Sequence, residues 1–517
     1  MSKKIDIDLL DGGGDSLYVK ERKVYPRDVH GKLDRLRRLA VWWLLGMFYV
    51  FPWLSWDGRQ AVLFDLPARQ FHVFGLTFWP QDFSFLALLL IILALTLFFV
   101  TALAGRLWCG FACPQTVWTE VFLWMERWTE GDRSKRMKLD AGPWTREKVL
   151  RKGAKHFLWF VFAVWTGFTF VGFFTPIHDL AARAWPFAWN GWETFWVFFY
   201  GLATWGNAGF LREQVCKYMC PYARFQSAMF DRNTLIIAYD PMRGEPRGPR
   251  KRGLGSVAQR GRELLDKFTA YDYVFRAAKH PSAADSRAQA RGVITFDAGD
   301  QEAAPLPKFK PEELGDCIDC TMCVQVCPVG IDIRNGLQYE CIACGLCVDA
   351  CNDVMDKMGY ERGLIRYTSQ NAIDGEPTRV LRPRILVYGA FLLALVVAFA
   401  WGIGARSTLI ADVLRDRNAL YRVVGDDVDN VYTLKLVNKT DSAQQYVVTL
   451  ESANPAISLR GGGGRVQVDA GPAQVLSVPV ELTAPADTRG RHDVTFVIES
   501  ADGSARETVD SSFFGPM

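Results

Sequence analysis

The sequence predicts a polytopic α-helical membrane protein with a small cysteine-bearing α+β domain before its last span and an all-β sandwich of immunoglobulin type at its C-terminus. Three observations lead there: about five apolar segments long enough to cross a bilayer, twelve cysteines confined to four tight groups, and short alternating apolar runs after Arg406. Half of the 517 residues are hydrophobic, more than one soluble core requires. The 60 basic and 56 acidic residues leave a net charge of only +4, so global charge argues for no polyanionic partner, and no nucleic-acid-binding motif is present.

Spanning needs about 20 apolar residues. Leu39 to Trp56, Phe83 to Ala104, His156 to Ile177, Trp192 to Leu211 and Ile385 to Ile403 come close. The fourth contains Asn207 and several glycines and also reads as a buried soluble helix. The N-terminus, MSKKIDIDLL, has no apolar h-region, so no cleaved signal peptide is expected. Lys and Arg gather before the first segment (Arg35, Arg37, Arg38) and throughout the stretch from Gly105 to Lys155, whereas the stretch from Asp57 to Asp82 carries only Arg59 and Arg69. By the positive-inside rule the N-terminus and the segment from Arg212 to Arg384 then lie in the cytoplasm of a bacterial inner membrane, and the tail after the fifth span lies in the periplasm.

The expected organisation is a cytoplasmic N-terminal segment (1–38), a four-helix membrane region (39–239), a basic linker (240–310), a cysteine-rich domain (311–360), a fifth span (385–403) and a periplasmic sandwich (408–517). The linker is rich in Gly, Pro and Arg, with a helix expected around Val257 to Phe268. Its Arg243, Arg247, Arg250, Lys251 and Arg252 read either as a topology signal on a solvated loop or as a contact for anionic headgroups. In the tail, VYTLKLVN, QYVVTLES, GRVQVDA, QVLSVPVEL, HDVTFVIES and ETVDSSFF alternate with period two between turn residues, the spacing of an immunoglobulin-like sandwich. It holds no cysteine and no clustered His, Asp or Glu, which suggests docking or stability as its role.

Cys317, Cys320, Cys323 and Cys327 with Pro328 reproduce the C-x2-C-x2-C-x3-C-P run of bacterial ferredoxins, and Cys341, Cys344, Cys347 and Cys351 repeat it without the proline. In that pattern the fourth cysteine of each run serves the other cluster. One [4Fe-4S] cluster is therefore expected on Cys317, Cys320, Cys323 and Cys351, and a second on Cys327, Cys341, Cys344 and Cys347. A segment this short cannot bury enough apolar surface to fold unaided. Structural zinc is the alternative, and the clusters could also serve folding alone.

Cys109-Gly-Phe-Ala-Cys113-Pro114 and Cys216-Lys-Tyr-Met-Cys220-Pro221 recur at matching ends of the second and fourth segments. Helical spacing would put both sulfurs of each motif on one face, with the proline ending or kinking the helix. Four thiolates together suit Cu(I), zinc or an iron–sulfur centre. A dithiol/disulfide relay and plain apolar packing are the other readings. Met125, Met219 and Met229 are candidate thioether ligands, and His178 and His72 are candidate quinol or metal contacts that also read as ordinary solvated or packed side chains.

Five spans, paired CxxxCP motifs, a doubled cysteine run and a β-sandwich tail together resemble the CcoG family, also called FixG or RdxA, accessory proteins of cbb3-type cytochrome c oxidases. The resemblance covers nearly the whole chain. It implies reduction of Cu(II) to Cu(I) for oxidase assembly, with Cys109, Cys113, Cys216 and Cys220 matching the family's membrane cysteines and Cys317 to Cys351 its ferredoxin ligands. The implied partners are the lipid bilayer, oxidase assembly factors, a copper-handling protein and an unidentified electron donor. Quinol-linked subunits of the NapH and NosR type look similar in their cysteine motifs but lack the sandwich tail. A non-catalytic assembly scaffold is a third reading.

Overall fold

The computed structural model describes residues 23–185, 188–249, 314–416, 420–440, 442–461 and 463–516. They fall into two compact units, one drawn from 1–41, 101–159 and 207–378, the other from 42–100, 160–206 and 379–517. The helices run in the order α1 (Lys32–Val50), α2 (Phe83–Ala104), α3 (Leu107–Phe111), α4 (Pro114–Glu130), α5 (Arg133–Ala141), α6 (Arg146–Val171), α7 (Ile177–Ala184), α8 (Gly191–Thr204) and α9 (Pro221–Ala228). Five short strands separate α1 from α2: β1 (Ser55–Trp56), β2 (Arg59–Gln60), β3 (Val62–Asp65), β4 (Gln70–Val73) and β5 (Leu76–Phe78).

Among the described residues, three helices are long and apolar enough to cross a membrane: Pro80–Ala104, α6, and α13 (Pro383–Gly404). α1 is shorter in apolar length than its sequence segment because Lys32, Asp34, Arg35, Arg37 and Arg38 occupy its first turns and Pro52 closes it into a 3-10 turn. α8 continues as a π-helical stretch, Trp205–Leu211, whose glycines and Asn207 favour the wider turn. Gly167 lets α6 and α8 touch through backbone: a Cβ there would stand 2.1 Å from the Val197 carbonyl oxygen.

In the first unit, β6 (Ile236–Tyr239) pairs antiparallel with β7 (Ile365–Thr368), and this ribbon packs with α11 (Met322–Gln325) and α12 (Leu346–Met358) around one core. A one-turn helix, α10 (Pro241–Gly244), follows β6. The core is wider than 311–360, because Ile237 and Tyr239 lie upstream of it and Leu364 and Ile365 downstream. The N-terminal segment belongs to it too: Val29 and Leu33 pack against it, and the Arg27 amide donates to the Gln325 carbonyl at 2.8 Å. The linker helix expected at Val257 to Phe268 lies outside the described residues, as do Arg250, Lys251 and Arg252.

In the second unit the tail forms two antiparallel sheets. One orders β12 (Ser458–Leu459), β14 (Val475–Pro485), β10 (Asp427–Asn438) and β8 (Leu409–Arg415), with β9 (Arg422–Val424) paired to β10. The other orders β13 (Arg465–Ala470), β11 (Gln444–Ser452), β15 (Arg491–Ser500) and β16 (Arg506–Phe514). Alternate residues Tyr432, Leu434 and Leu436 of β10 face Phe496 and Ile498 of β15 in one core, which is what period-two patterning requires of a sandwich. Lys439, just past β10, reaches Asp82 at the start of α2 at 2.9 Å with both side chains buried. Arg406 stands 3.7 Å from the same carboxylate, so removing Lys439 leaves Asp82 with one more distant cation and the Trp79 amide. Lys439→Met is therefore expected to destabilise this unit by about 1–3 kcal/mol, seen as faster hydrogen exchange along β10 and β14.

Candidate functional site

Residues 317–323 and 341–347 are one turn built twice. The residue before the second cysteine is left-handed in both (Asp319, φ 54°; Ala343, φ 54°), and so is the residue after it (Thr321, φ 55°; Gly345, φ 78°). Left-handed backbone at a non-glycine costs about 1–2 kcal/mol, so the turn persists because something compensates. The amide of Asp319 is aimed at the Cys317 sulfur and the amide of Ala343 at the Cys341 sulfur, as in an anion-binding nest. α11 and α12 then begin at the turns and carry Cys323, Cys347 and Cys351.

Two cavities result. Cys317, Cys320, Cys323 and Cys351 line one together with Tyr239 and Arg334. Cys327, Cys341, Cys344 and Cys347 line the other, with Cys323 on their shared wall. The fourth cysteine of each run thus crosses to the cavity of the other run. Burial pushes the Cys327 and Cys351 thiols up to about 12, so thiolates form there only with a compensating cation. Four soft donors per cavity, amides aimed at sulfur and a backbone strained to aim them fit an iron–sulfur cluster. Cys320 is the exposed member of the first cavity, and Cys344 is buried in the second.

The two CxxxCP motifs also share one local form, and it departs from a continuous helix. Cys109 sits on α3 and Cys216 on a π-helical turn (Val215–Met219). Cys113 and Cys220 are extended N-cap residues (ψ 129° and 106°), and Pro114 and Pro221 open α4 and α9. Proline here starts a helix, because its fixed φ and missing N–H suit the first helical position. The thiols of Cys109, Cys113, Cys216 and Cys220 lie within electrostatic reach of one another. Burial, reinforced by the neighbouring sulfurs, raises Cys109 to about 12 and Cys216 to about 11. Cys109 Sγ is 3.2 Å from Oε1 of the fully buried Gln226, whose Nε2 donates to Thr101 Oγ1 at 3.0 Å. Gln115 ties the two motifs by donating to the Asn207 and Arg212 carbonyls at 2.9 and 3.1 Å.

Gly110 joins the thiol cluster to the second cavity. A Cβ on it would stand 2.8 Å from Cys344 Cα and from the Ile342 carbonyl oxygen, so the backbone beside Cys109 rests directly on the loop carrying Cys344. Arg106, buried at the same junction, donates to the carbonyls of Tyr339 and Ala223 and, at 2.6 Å, to Ser227 Oγ. Its charge reaches Cys109, Cys341, Cys216 and Cys220. Arg37, also buried, pairs with Glu120 at 2.9 Å and lies within reach of Cys344 and Cys327. Arg106, Gly110, Gln226 and Arg37 are not singled out by spacing. The available signal was an arginine shortly before each CxxxCP motif, Arg106 and Arg212, and the two then diverge, since Arg212 pairs with Glu126 at 3.1 Å.

Other candidates stand apart. His72 is buried in the strand layer against Thr77 Oγ1 (3.1 Å) and Arg59. His178 is exposed, edge-on to Trp53 at 5.3 Å. Met219 is exposed. Met125 stands eleven residues beyond Pro114 on α4, about 17 Å away by helical rise. Met229 ends buried just past α9. Arg243 clamps the cysteine-rich core, bonding Asp316 at 2.6 Å and the Arg362 carbonyl at 3.0 Å, so it is not a solvated headgroup contact.

Over-packing a close backbone contact costs about 1–3 kcal/mol. Gly110→Ala is expected to lower acid-labile sulfide in the purified protein. Gly153→Ala, whose Cβ meets nothing within 4 Å, is expected to leave it unchanged.

Comparison with known proteins completes the site. A family described as a 4Fe-4S dicluster domain matches residues 211–269 and 287–370, a 4Fe-4S binding domain matches 86–135, and the immunoglobulin-like fold at the C-terminus of FixG matches 399–516. The nitrogen fixation protein FixG of Rhizobium meliloti is 36% identical over 95% of this chain and 92% of its own. Protein RdxB of Cereibacter sphaeroides is 36% identical over 97% and 98%. A crystal structure of a FixG-related protein from Vibrio parahaemolyticus aligns at 32% identity over 22% of this chain and all of that one, with a TM-score of 0.19. With relatives this similar over nearly its whole length, the chain belongs to the FixG and Rdx family of 4Fe-4S redox proteins.

Proposed function

We propose that this protein is a membrane-bound cupric reductase that delivers one electron at a time to copper held by Cys109, Cys113, Cys216 and Cys220, in support of cbb3-type oxidase assembly. The observation that carries the reading is the backbone contact of Gly110 with Cys344, which brings the thiol cluster against the second cysteine cavity. In this reading Cys317, Cys320, Cys323 and Cys351 hold one [4Fe-4S] cluster, and Cys327, Cys341, Cys344 and Cys347 hold another. When bound, these clusters supply one-electron storage and transfer.

The residues favour a direction. Around the first cavity Arg334 is bound by both Asp332 and Asp319, leaving net negative charge, and the exposed Cys320 offers a donor access. Around the second cavity Arg37 balances Glu120, and Arg106, met by carbonyls and a hydroxyl, acts on Cys341 more strongly than the opposing Glu340. Electrons entering at Cys320 thus move toward positive potential and toward the membrane thiols. There Cu(II) gains one electron, and the resulting Cu(I) is the ion soft thiolates retain. We further propose five spans, counting α1 and α8 with its π-helical extension. The cysteine cavities then lie in the cytoplasm of an inner-membrane protein and the sandwich in the periplasm.

The match of residues 86–135 to a 4Fe-4S binding domain favours a second reading, in which the four membrane thiols hold a further cluster. One preparation separates the two. The anaerobically reduced protein is given Cu(II), and Cu(I) is counted with a chelator for wild type and for the variant with Cys109, Cys113, Cys216 and Cys220 changed to Ala. Wild type forming Cu(I) and the variant failing with unchanged iron content supports copper reduction. Loss of about four irons from the variant supports the further cluster. Reoxidation by a quinone, with neither protein forming Cu(I), sinks the copper reading. Because burial keeps Cys109 and Cys216 protonated at neutral pH, Cu(I) capture displaces protons. Its affinity should rise with pH, up to about tenfold per unit for each proton released.

A further inference from the structure

A cavity of about 300 Å³ lies on the first unit beside the N-terminal half of α6, remote in sequence from all cysteines but Cys216. Lys152, Lys155, His156 and Trp159 line it from one face of α6, and Phe210 and Arg212 close the opposite side. The α6 residues recur at intervals of three and four, so one helical face presents both lysines. Trp159 forms the floor: it is 2% exposed, donates its indole N–H to the Phe122 carbonyl at 3.0 Å, and carries Lys155 Nζ 4.7 Å and the Arg212 guanidinium 5.4 Å above its ring.

The cations are held from behind by carboxylates. Lys155 and Lys152 share Glu130 at 2.8 and 3.0 Å, Arg212 and Arg136 share Glu126 at 3.1 and 2.9 Å, and Lys23 and Lys152 reach Asp140. Five cations therefore draw on three carboxylates, an excess of two positive charges, and Glu213 on the cavity wall offsets one. Lys155 and Arg212 are buried, and each shares its carboxylate with a second cation, so part of the cluster's positive charge stays unbalanced, which is costly in such a place. An anion entering the cavity would remove that cost.

The surroundings say what kind of anion. α6 is one of the helices long and apolar enough to cross a membrane, and these residues stand in its first turns. Phe210 on the cavity wall is 53% exposed. A charged cavity with an apolar side chain at its mouth, near the end of a span, suits a ligand with an anionic head and an apolar body. Basic pockets between membrane helices bind phosphate headgroups for this reason. We propose that this cavity binds the phosphate of an anionic phospholipid, with an acyl chain lying over Phe210.

The test uses the full chain in non-ionic detergent. Retained lipid is read by native mass spectrometry after equilibration with phosphatidylglycerol or phosphatidylcholine, and again with inorganic phosphate as competitor. Wild type should retain phosphatidylglycerol in preference. Lys155→Gln and Lys152→Gln should each lower that preference about fivefold, and Lys155→Arg should keep it. Iron content reports folding, and if Lys155→Gln loses iron the less buried Lys152→Gln decides. Equal retention of the two lipids, or a preference that survives both glutamine variants, overturns the proposal. Displacement of phosphatidylglycerol by equimolar inorganic phosphate assigns the cavity to a soluble phosphate and overturns the lipid reading.

Discussion

Sulfur anions buried in a small protein need positive partners, and much of the first unit is arranged around that requirement. Cys317, Cys323, Cys344 and Cys351 are themselves among the buried members of its core. Burial raises these thiols, so the apo chain meets neutral sulfhydryls where a cluster would impose thiolates. The left-handed turns at Asp319, Thr321 and Ala343 follow from the same requirement. They turn main-chain amides toward sulfur at a conformational cost that an empty loop would not sustain.

This requirement also explains why soluble-type and membrane-type cysteine motifs share one compact unit. A donor and an acceptor exchange electrons efficiently only at short range, and a side chain at position 110 would hold the two loops apart. Glycine removes that barrier, and Arg106 then occupies the junction with its guanidinium spread over carbonyls from two different segments. The arginine binds the Cys341 loop to α9 as well as supplying charge. One residue thereby couples the geometry of the CxxxCP cysteines to that of the ferredoxin-like turn.

What spacing encodes was legible. Cysteine runs at intervals of two and three can wrap only a compact centre, and the tail's alternation reappears as strands whose inward residues form a single core. What depends on contacts distant in sequence was hidden. The four-residue runs IIAY and IRYT are too short to declare themselves, yet they pair as β6 and β7. Gly345 advertises a left-handed turn, but Asp319, Thr321 and Ala343 carry no such mark, because their conformation is imposed by the cysteines they serve. Cys-Pro reads from sequence as a helix end, and helices do end at Phe111 and Met219 just before it; that the same proline opens α4 or α9 is not legible there. The Arg243 side chain is part of a clamp on the cysteine core and not of a basic surface, a distinction that composition cannot make.

The charge arrangement in this unit argues for a division of labour along it. Arginines near the start of α1 and between α2 and α3 would by composition serve topology alone. Two of them, Arg37 and Arg106, are instead buried beside the second cavity, where each lowers the energy of an added electron. The first cavity meets the opposite balance through Asp319 and Asp332. The two cavities thus differ in fixed charge, and Arg106 extends the field of the second to Cys109, Cys216 and Cys220. One arginine thereby acts on cysteines of both kinds, the ferredoxin-type Cys341 and the CxxxCP thiols, because Gly110 lets their loops meet.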